Sequence, residues 1–384
     1  YMAIMFWYFG PRVWEIGTRF GHVTQAEAIA DRYESRILGA IVSLVSSVGV
    51  LAYAVLQAMG SGYIVHVMSG GNIPYPVSVI IILIAISIYV HQSGLRAVAM
   101  TNVMQGILMF IVAWLVGLAA AQKFTGEIWF HRVFEAVRSI SPEHLTLPGK
   151  LGDWNYAFWT TSILVSVFSI WPTHWVWWLG ARSKDSLRRS MALLPAYYVV
   201  ILPMLAVGFI AIQQIHEIQR SDTVAIQLAL QHLGPVLTGL LGAGTLAAAM
   251  SSMEPCLHVT SLSYTRDIIQ AFFKISDDEV TRIARWLVIL LMGFIIAPFA
   301  IAEPASLVYI LLVGYGFTAQ TFPAIVGMFL WPRATKDGVL WGVVSGAIVT
   351  TVCSILWPHP FGVHGGIWGL VVNTIVFFVV SLLT

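Results

Sequence analysis

Polar side chains that could bind an ion or a proton interrupt a long apolar segment at residues 236–265. Ser251 and Ser252 are adjacent, Glu254 follows after one residue, and His258 stands four residues beyond it. Serine hydroxyls and freed backbone carbonyls are oxygen ligands that suit a hard cation such as Na⁺. Serines and small residues are equally typical of close helix packing in membranes. The segment therefore predicts either a cation site or a tightly packed helix.

Glu254 is the one acid that lies deep inside a predicted membrane span. Ionisable groups at that depth are rare, and they usually face a bundle interior or a water-filled path. Pro255 frees a backbone carbonyl at the same level, and His258 lies on the same helical face as Glu254. The pair could relay protons, or it could form a neutral hydrogen bond that joins two helices.

The segment 156–179 carries a second polar interruption. Pro172, Thr173 and His174 follow one another among its apolar residues. A proline with polar neighbours at membrane depth is typical of the broken helices that line transporter sites. We therefore expect irregular backbone near residues 170–174, with Thr173 and His174 on a substrate path.

Tryptophans surround this interruption and permit two interpretations. They could form an aromatic box around a substrate, even a cationic one, or an aromatic belt at the membrane interface. Trp177 and Trp178 are close to the basic residue Arg182 and are assigned to the belt. Trp171 and Trp175 remain as candidates to line the substrate path.

The composition is that of an integral membrane protein. Of 384 residues, 58% are hydrophobic and only 10% are charged, whereas ordinary soluble domains carry about 25% charged residues. The two cysteines, Cys256 and Cys353, stand far apart in apolar runs and predict neither a disulfide framework nor a cysteine metal site. The sequence has no basic cluster that would favour nucleic acid, and no nucleophile–base pair that would indicate an enzyme.

Runs of about 20 apolar residues predict the membrane spans. Because the runs are continuous rather than alternating, they favour α-helices over barrel strands. A partial span is predicted at 1–10, and ten complete spans are predicted at 37–67, 77–92, 102–122, 156–179, 190–213, 236–265, 283–302, 306–331, 338–357 and 366–384. The chain opens on Tyr1 within an apolar run, so we expect that further sequence, up to a whole span, precedes it.

Basic residues predict the direction of these spans, since cytoplasmic loops are enriched in Lys and Arg. If the loop 11–36 is cytoplasmic and the spans alternate, fifteen of the twenty basic residues are cytoplasmic. The other five are Lys123, Arg132, Arg138, Lys150 and Arg220. This asymmetry predicts that the two halves of the chain cross the membrane in opposite senses.

Four stretches resemble, in the same order, motifs of the sodium/solute symporter family. They are 24–33 (TQAEAIADRY), 93–98 (SGLRAV) through Gln105, 244–252 (GTLAAAMSS) with 261–267 (SLSYTRD), and 331–338 (WPRATKDG). The third is similar to the eighth core helix of the family, and the last is similar to the link after its tenth. With similarity over most of residues 10–345, the chain is identified as a member of this family.

The resemblance implies an all-α integral membrane fold, a LeuT-like five-plus-five inverted-repeat helix bundle with extra C-terminal helices. Residues 1–384 then form a single transmembrane domain. Its parts are an incomplete first repeat at 1–122, an extracytoplasmic loop at 123–155, a second repeat at 156–331 and additional C-terminal spans at 332–384. The first core helix of the family would lie before Tyr1.

The same resemblance implies roles for individual residues. The carbonyl of Ala248, with Ser251 and Ser252, would be one half of the family's Na⁺ site, whose other half is on the first core helix. Asn102 stands where the family has an aspartate implicated in cation coupling. The candidates for coupling in this chain are Glu254, His258 and Asn102.

Together these features predict a sodium-coupled symporter, which moves a small organic solute across the cytoplasmic membrane by alternating access and needs no organic cofactor. The solute would bind near the bilayer midplane beside the broken helix. One alternative is a symporter-like sensory or accessory subunit without transport, with a partner subunit or a fused C-terminal module. Another is a proton-coupled carrier that uses Glu254. The expected partners are the solute and membrane lipid, and neither nucleic acid nor an enzymatic reaction is expected.

Overall fold

The computed structural model describes residues 2–92, 95–140, 142–146, 155–215, 220–357 and 359–384, which are mainly helical and contain no strand. An apolar chain in lipid must satisfy its backbone N–H and C=O groups internally, and a helix does so within one segment. The α-helices of this part of the chain are α1 Met2–Phe20, α2 Gln25–Arg32, α3 Arg36–Met68, α4 Tyr75–Gln92, α5 Leu95–Thr125, α6 His131–Ile140, α7 Tyr156–Phe168, α8 Pro172–Leu179, α9 Lys184–Tyr197, α10 Ile201–Gln214, α11 Val224–Leu228, α12 Gly234–Ser263, α13 Asp277–Leu291, α14 Ala297–Ala302, α15 Leu307–Ala319, α16 Phe322–Leu330, α17 Lys336–Ile355 and α18 Gly365–Leu383.

Eight helices, or runs of consecutive helices, in the described residues are long and apolar enough to cross a membrane. The predicted number of ten complete spans is therefore not confirmed. At 77–92 the chain forms α4 Tyr75–Gln92, whose apolar part Tyr75–Ile88 is counted among the shorter apolar helices, and at 156–179 two short helices replace one long one. The partial span predicted at 1–10 is the start of α1, which continues through Pro11.

Helix breaks distinguish the structure from the predicted spans. The predicted irregularity near 170–174 is confirmed, since α7 ends at Phe168 and α8 begins at Pro172. The span predicted at 306–331 corresponds to the apolar run Leu307–Leu330, which contains a second break, because α15 ends at Ala319 and α16 begins at Phe322. A proline follows at the second position of α16, where its missing N–H costs no intrahelical hydrogen bond. Pro323 was therefore a signal in the sequence for this second break.

Helix α3 is the centre of the bundle, because it packs against α4, α12 and α15. Its crossing with α15 is very close: a methyl group added at Gly49 would overlap the carbonyl oxygen of Gly314. Only glycine at position 49 allows the two backbones to approach in this way. This contact places residues of α3, α12 and α15 around one space.

We expect Gly49→Ala to lower the melting temperature of the purified protein in detergent. The added methyl group must push α3 away from α15, and overpacking of this kind typically costs about 1–3 kcal/mol. Gly208→Ala in α10 is the matched control, since nothing lies within 4 Å of the position its methyl group would take. Equal melting temperatures for the two variants would contradict the close crossing.

Candidate functional site

The site begins at the break between α7 and α8. Ser169 and Trp171 have extended backbone conformations, and Pro172 is the first residue of the new helix. Proline suits that position because it has a fixed φ and no N–H to leave unpaired. The hydroxyl of Ser169 lies 2.9 Å from the carbonyl oxygen of Tyr315, so the break is anchored to α15.

A cavity of about 330 Å³ lies beside this break. The break and α8 line it with Trp171, Thr173, His174 and Trp177, and α12 lines it with Ser251, Ser252, Pro255 and Cys256. The structure thus brings residues from both polar interruptions of the sequence to the lining of one space.

Aromatic side chains form much of the remaining wall. The ring centroid of Trp171 lies 5.3 Å from that of Tyr53 in α3 and 5.6 Å from that of Tyr315 in α15, both in edge-to-face contact. Tyr198 and Leu311 complete the lining. Sequence reasoning missed these four residues. The sequence offered no signal that singles them out, because the spans 37–67 and 306–331 each carry two tyrosines.

The two serines present oxygen atoms to the cavity. Ser251 Oγ donates to the carbonyl oxygen of Ala248 at 2.9 Å, and the hydroxyl of Tyr53 donates to Ser252 Oγ at 3.4 Å. A hydroxyl used as a donor to one oxygen still has lone pairs for a cation. About one turn of α12 thus carries the oxygens of Ala248, Ser251 and Ser252, and these are of the type that Na⁺ prefers.

The tryptophans are arranged differently from the prediction. Trp175, predicted to line the substrate path, is 0% exposed and packs inside the bundle against Trp178. Trp177, assigned to the interfacial belt, lines the cavity instead. Trp178 is also buried, with its ring 5.2 Å from that of Phe6. Thr173 and Trp177 are four residues apart and share the face of α8 that lines the cavity, whereas Trp175 and Trp178 share a buried face.

Glu254 and His258 do not line the cavity. Glu254 is 0% exposed and lies on a helix that continues as an α-helix through Pro255. His258 is half-buried one turn further along. Their role in coupling stays a prediction.

We expect Glu254→Gln to leave the protein folded and to change the dependence of its transport on pH. Glutamine keeps the shape of the side chain but cannot exchange a proton. The measurement is uptake into proteoliposomes against pH, with Glu135→Gln in the exposed helix α6 as the control. A parent-like activity and pH profile would make Glu254 a structural residue.

Asn102 is not brought to the cavity. It lies on α5 and faces a separate groove of about 410 Å³, together with Tyr197 and Phe110. Residues 93 and 94 of the motif before it lie outside the described residues. The predicted coupling role of Asn102 therefore has no support from its position.

Comparison with known proteins adds to this geometry. The model of the sodium:solute symporter family matches residues 1–346. The uncharacterized symporter YhjB of Bacillus subtilis is 28% identical, over 97% of this chain and 79% of the relative. The sodium/pantothenate symporter of Escherichia coli is 24% identical, over 95% of this chain and 76% of the relative.

A solved structure shows the same fold. The substrate-bound, outward-open state of a Na⁺-coupled sialic acid symporter matches with a TM-score of 0.75 and 16% sequence identity, over 100% of this chain and 84% of that one. The prediction of an all-α, LeuT-like membrane fold is confirmed by this match. With eight apolar helices able to cross a membrane in the described residues, the chain is a multi-pass integral membrane protein.

Proposed function

Because the chain belongs to the sodium:solute symporter family, we propose that it moves a small organic solute across the membrane by sodium-coupled alternating access. The observation that carries this proposal is the shared cavity, in which the broken helix faces Ser251 and Ser252. Transporters of this architecture bind solute and ion at discontinuous helices near the bilayer midplane.

The cation would bind at the α12 wall. Ser251, Ser252 and the carbonyl of Ala248 supply three oxygens from one turn, and further ligands would come from facing elements. These three oxygen donors suit a hard cation better than a soft metal. Within the described residues, no cluster of three His, Cys, Asp or Glu side chains competes as a metal site.

The solute would bind at the part of the lining formed by the break and α8, against Trp171 and Thr173. The cavity volume of about 330 Å³ lies at the small end of ligand pockets, which span about 300–1,000 Å³. Among the described residues that line it, none is Asp, Glu, Lys or Arg. The solute must therefore be held by hydroxyls, by aromatic faces and by backbone N–H groups at the start of α8, which favour an anionic group.

Coupling follows from the closeness of the two walls. A cation on α12 adds positive charge next to the space where the solute binds. Each ligand then raises the affinity of the protein for the other by the same factor, as linkage requires. The empty protein and the protein with both ion and solute bound are then more populated than the protein with one ligand alone. Symport requires this.

The test uses purified protein in proteoliposomes. We expect uptake of a suitable solute when NaCl is outside and KCl inside, and loss of that uptake when choline replaces Na⁺. Pantothenate and sialic acid, named for the relatives, are the first solutes to try. Equal uptake driven by a proton gradient without Na⁺ would favour the proton-coupled alternative. Binding without any uptake would favour a sensory role.

Na⁺ alone provides a probe that needs no knowledge of the solute. A ligand that binds only the folded protein raises its melting temperature in proportion to the logarithm of the concentration. We therefore expect NaCl to raise the melting temperature above that in KCl of equal ionic strength. The same melting temperature in both salts would contradict the cation site.

A further inference from the structure

The short helix α2 contacts three separate parts of the framework around the cavity. Gln25 Nε2 donates to the carbonyl oxygen of Ile170 at 2.9 Å, in the break before α8. The hydroxyl of Thr24 donates to Asp267 Oδ1 at 2.6 Å, in the π-helical turn Tyr264–Gln270 after α12. A third contact reaches α16. One eight-residue helix therefore joins the ends of three elements that are distant in the chain.

The contact with Ile170 supplies a hydrogen-bond donor to a backbone carbonyl inside the break. Ile170 is 0% exposed and lies outside both α7 and α8, so its carbonyl oxygen has no helical N–H partner. A buried carbonyl needs a donor, because an unpaired one loses a hydrogen bond that it would make with water in the unfolded chain. Gln25, itself 1% exposed, supplies that donor. The next residue is Trp171, which lines the cavity.

The N-terminus of α2 is tied to the π-helical turn after α12 by the same side chains that cap it. Thr24 Oγ1 accepts a hydrogen bond from the backbone N–H of Glu27 at 3.0 Å, and it donates its own hydrogen bond to Asp267. Glu27 accepts from the backbone N–H of Thr24 at 3.4 Å and from that of Val23 at 2.7 Å, and it pairs with Arg266 at 3.1 Å. This reciprocal arrangement is a capping box. Undocking α2 from this turn therefore also weakens the cap of α2.

The C-terminal end of α2 is tied to the second broken helix. The hydroxyl of Tyr33 donates to the carbonyl oxygen of Ala324 at 3.1 Å, in α16. Burial raises the pKa of Tyr33 well above its ordinary value, so the hydroxyl keeps the proton that it donates. Both interrupted helices, α7–α8 and α15–α16, are thus held by α2.

We propose that Gln25 is a positioning residue for transport, whose hydrogen bond to Ile170 couples the docking of α2 to the geometry of the break. The inference rests on the proposed function. When α2 is docked, the carbonyl of Ile170 is satisfied and Trp171 stays against Tyr53. When α2 leaves, that carbonyl needs another partner, so the backbone beside Trp171 shifts and the cavity becomes open toward the end of the bundle predicted to be cytoplasmic.

The native thiol of Cys256 reports this opening, because it lines the cavity. In a Cys353→Ala background, a membrane-impermeant charged thiol reagent is added to inside-out membrane vesicles. We expect Gln25→Met, which keeps side-chain length and removes the donor, to label about tenfold faster, as the typical net worth of one hydrogen bond implies. Tyr33→Phe keeps its ring and should label faster to a smaller extent, which protects the test against misfolding of the first variant.

Gln270→Met is the matched control, since its amide donates to Ile275 at 3.4 Å and to Asp277 at 3.2 Å, away from the break. It should label at the parental rate. In right-side-out vesicles, Gln25→Met should label at the parental rate, because the proposed opening faces only the cytoplasmic end. A general destabilisation of the protein would instead speed labelling from both sides. Faster labelling from both sides, or the same rate in Gln25→Met, Tyr33→Phe and the parent, would overturn the inference.

This readout separates the inference from the proposed function. Labelling of Cys256 needs neither solute nor Na⁺, so the absence of sodium-driven uptake leaves the result meaningful. Sodium-driven uptake together with an unchanged labelling rate in Gln25→Met would refute the positioning role and leave the symporter proposal standing.

Discussion

Replacing Ser251 and Ser252 together with alanine should reduce sodium-driven uptake about 100-fold or more, because each lost contact to a charged group is worth about 1.5–3 kcal/mol. Both hydroxyls line the cavity, and no other serine or threonine of α12 does so. Alanine is a good helix former and fits the close packing of this segment. The fold should therefore survive, and the loss should appear as a weakened affinity for Na⁺.

Ser261→Ala is the matched control for this experiment. Ser261 lies on the same helix and donates to the carbonyl three residues earlier, as Ser251 does, at 3.0 Å, but it does not line the cavity. Uptake is measured against Na⁺ concentration, and melting temperature is measured in NaCl and KCl. If the double variant keeps the parental dependence on Na⁺, the two serines are packing residues and the cation site lies elsewhere.

Trp171→Ala should reduce uptake at least about tenfold while leaving the Na⁺-dependent rise in melting temperature in place. Trp171 is 5% exposed and stands between the rings of Tyr53 and Tyr315. Edge-to-face pairs of this kind are worth about 0.5–1.5 kcal/mol each beyond the area that they bury. Loss of both would loosen the wall on which the solute is proposed to bind, whereas the α12 oxygens remain.

Trp171→Phe should retain more uptake than Trp171→Ala, since it preserves an aromatic ring at the same place. Trp341→Ala on α17 is the control, because Trp341 is 56% exposed and does not line the cavity. The solute concentration at half-maximal uptake should rise in the two Trp171 variants. Parental uptake in Trp171→Ala would remove Trp171 from the substrate path.

These experiments address two walls that the chain builds from separate segments. The serine variants test the ion, the tryptophan variants test the solute, and the reactivity of Cys256 tests access to the space between them. A loss of solute uptake with intact Na⁺ binding, or the reverse, would show how far the two sites depend on each other.

The sequence by itself determined the membrane class, the helical fold and the family. Continuous apolar runs leave helices as the simple way to satisfy the backbone in lipid. It also determined where one helix breaks, because a proline with polar neighbours cannot continue a helix without cost. The oxygen-bearing turn at Ala248, Ser251 and Ser252 was predicted from local chemistry and from its resemblance to a known motif.

The tertiary structure alone decided which residues meet. The packing of α8 buried Trp175 and placed Trp177 at the cavity, although Trp175 was the candidate for the substrate path and Trp177 was assigned to the belt. The contributions of Tyr53 and Tyr315 depend on the Gly49 crossing of α3 and α15. Gln25 reaches Ile170 only because α2 docks across the ends of three other elements. Such contacts join positions far apart in the chain, and no local pattern of spacing or composition encodes them.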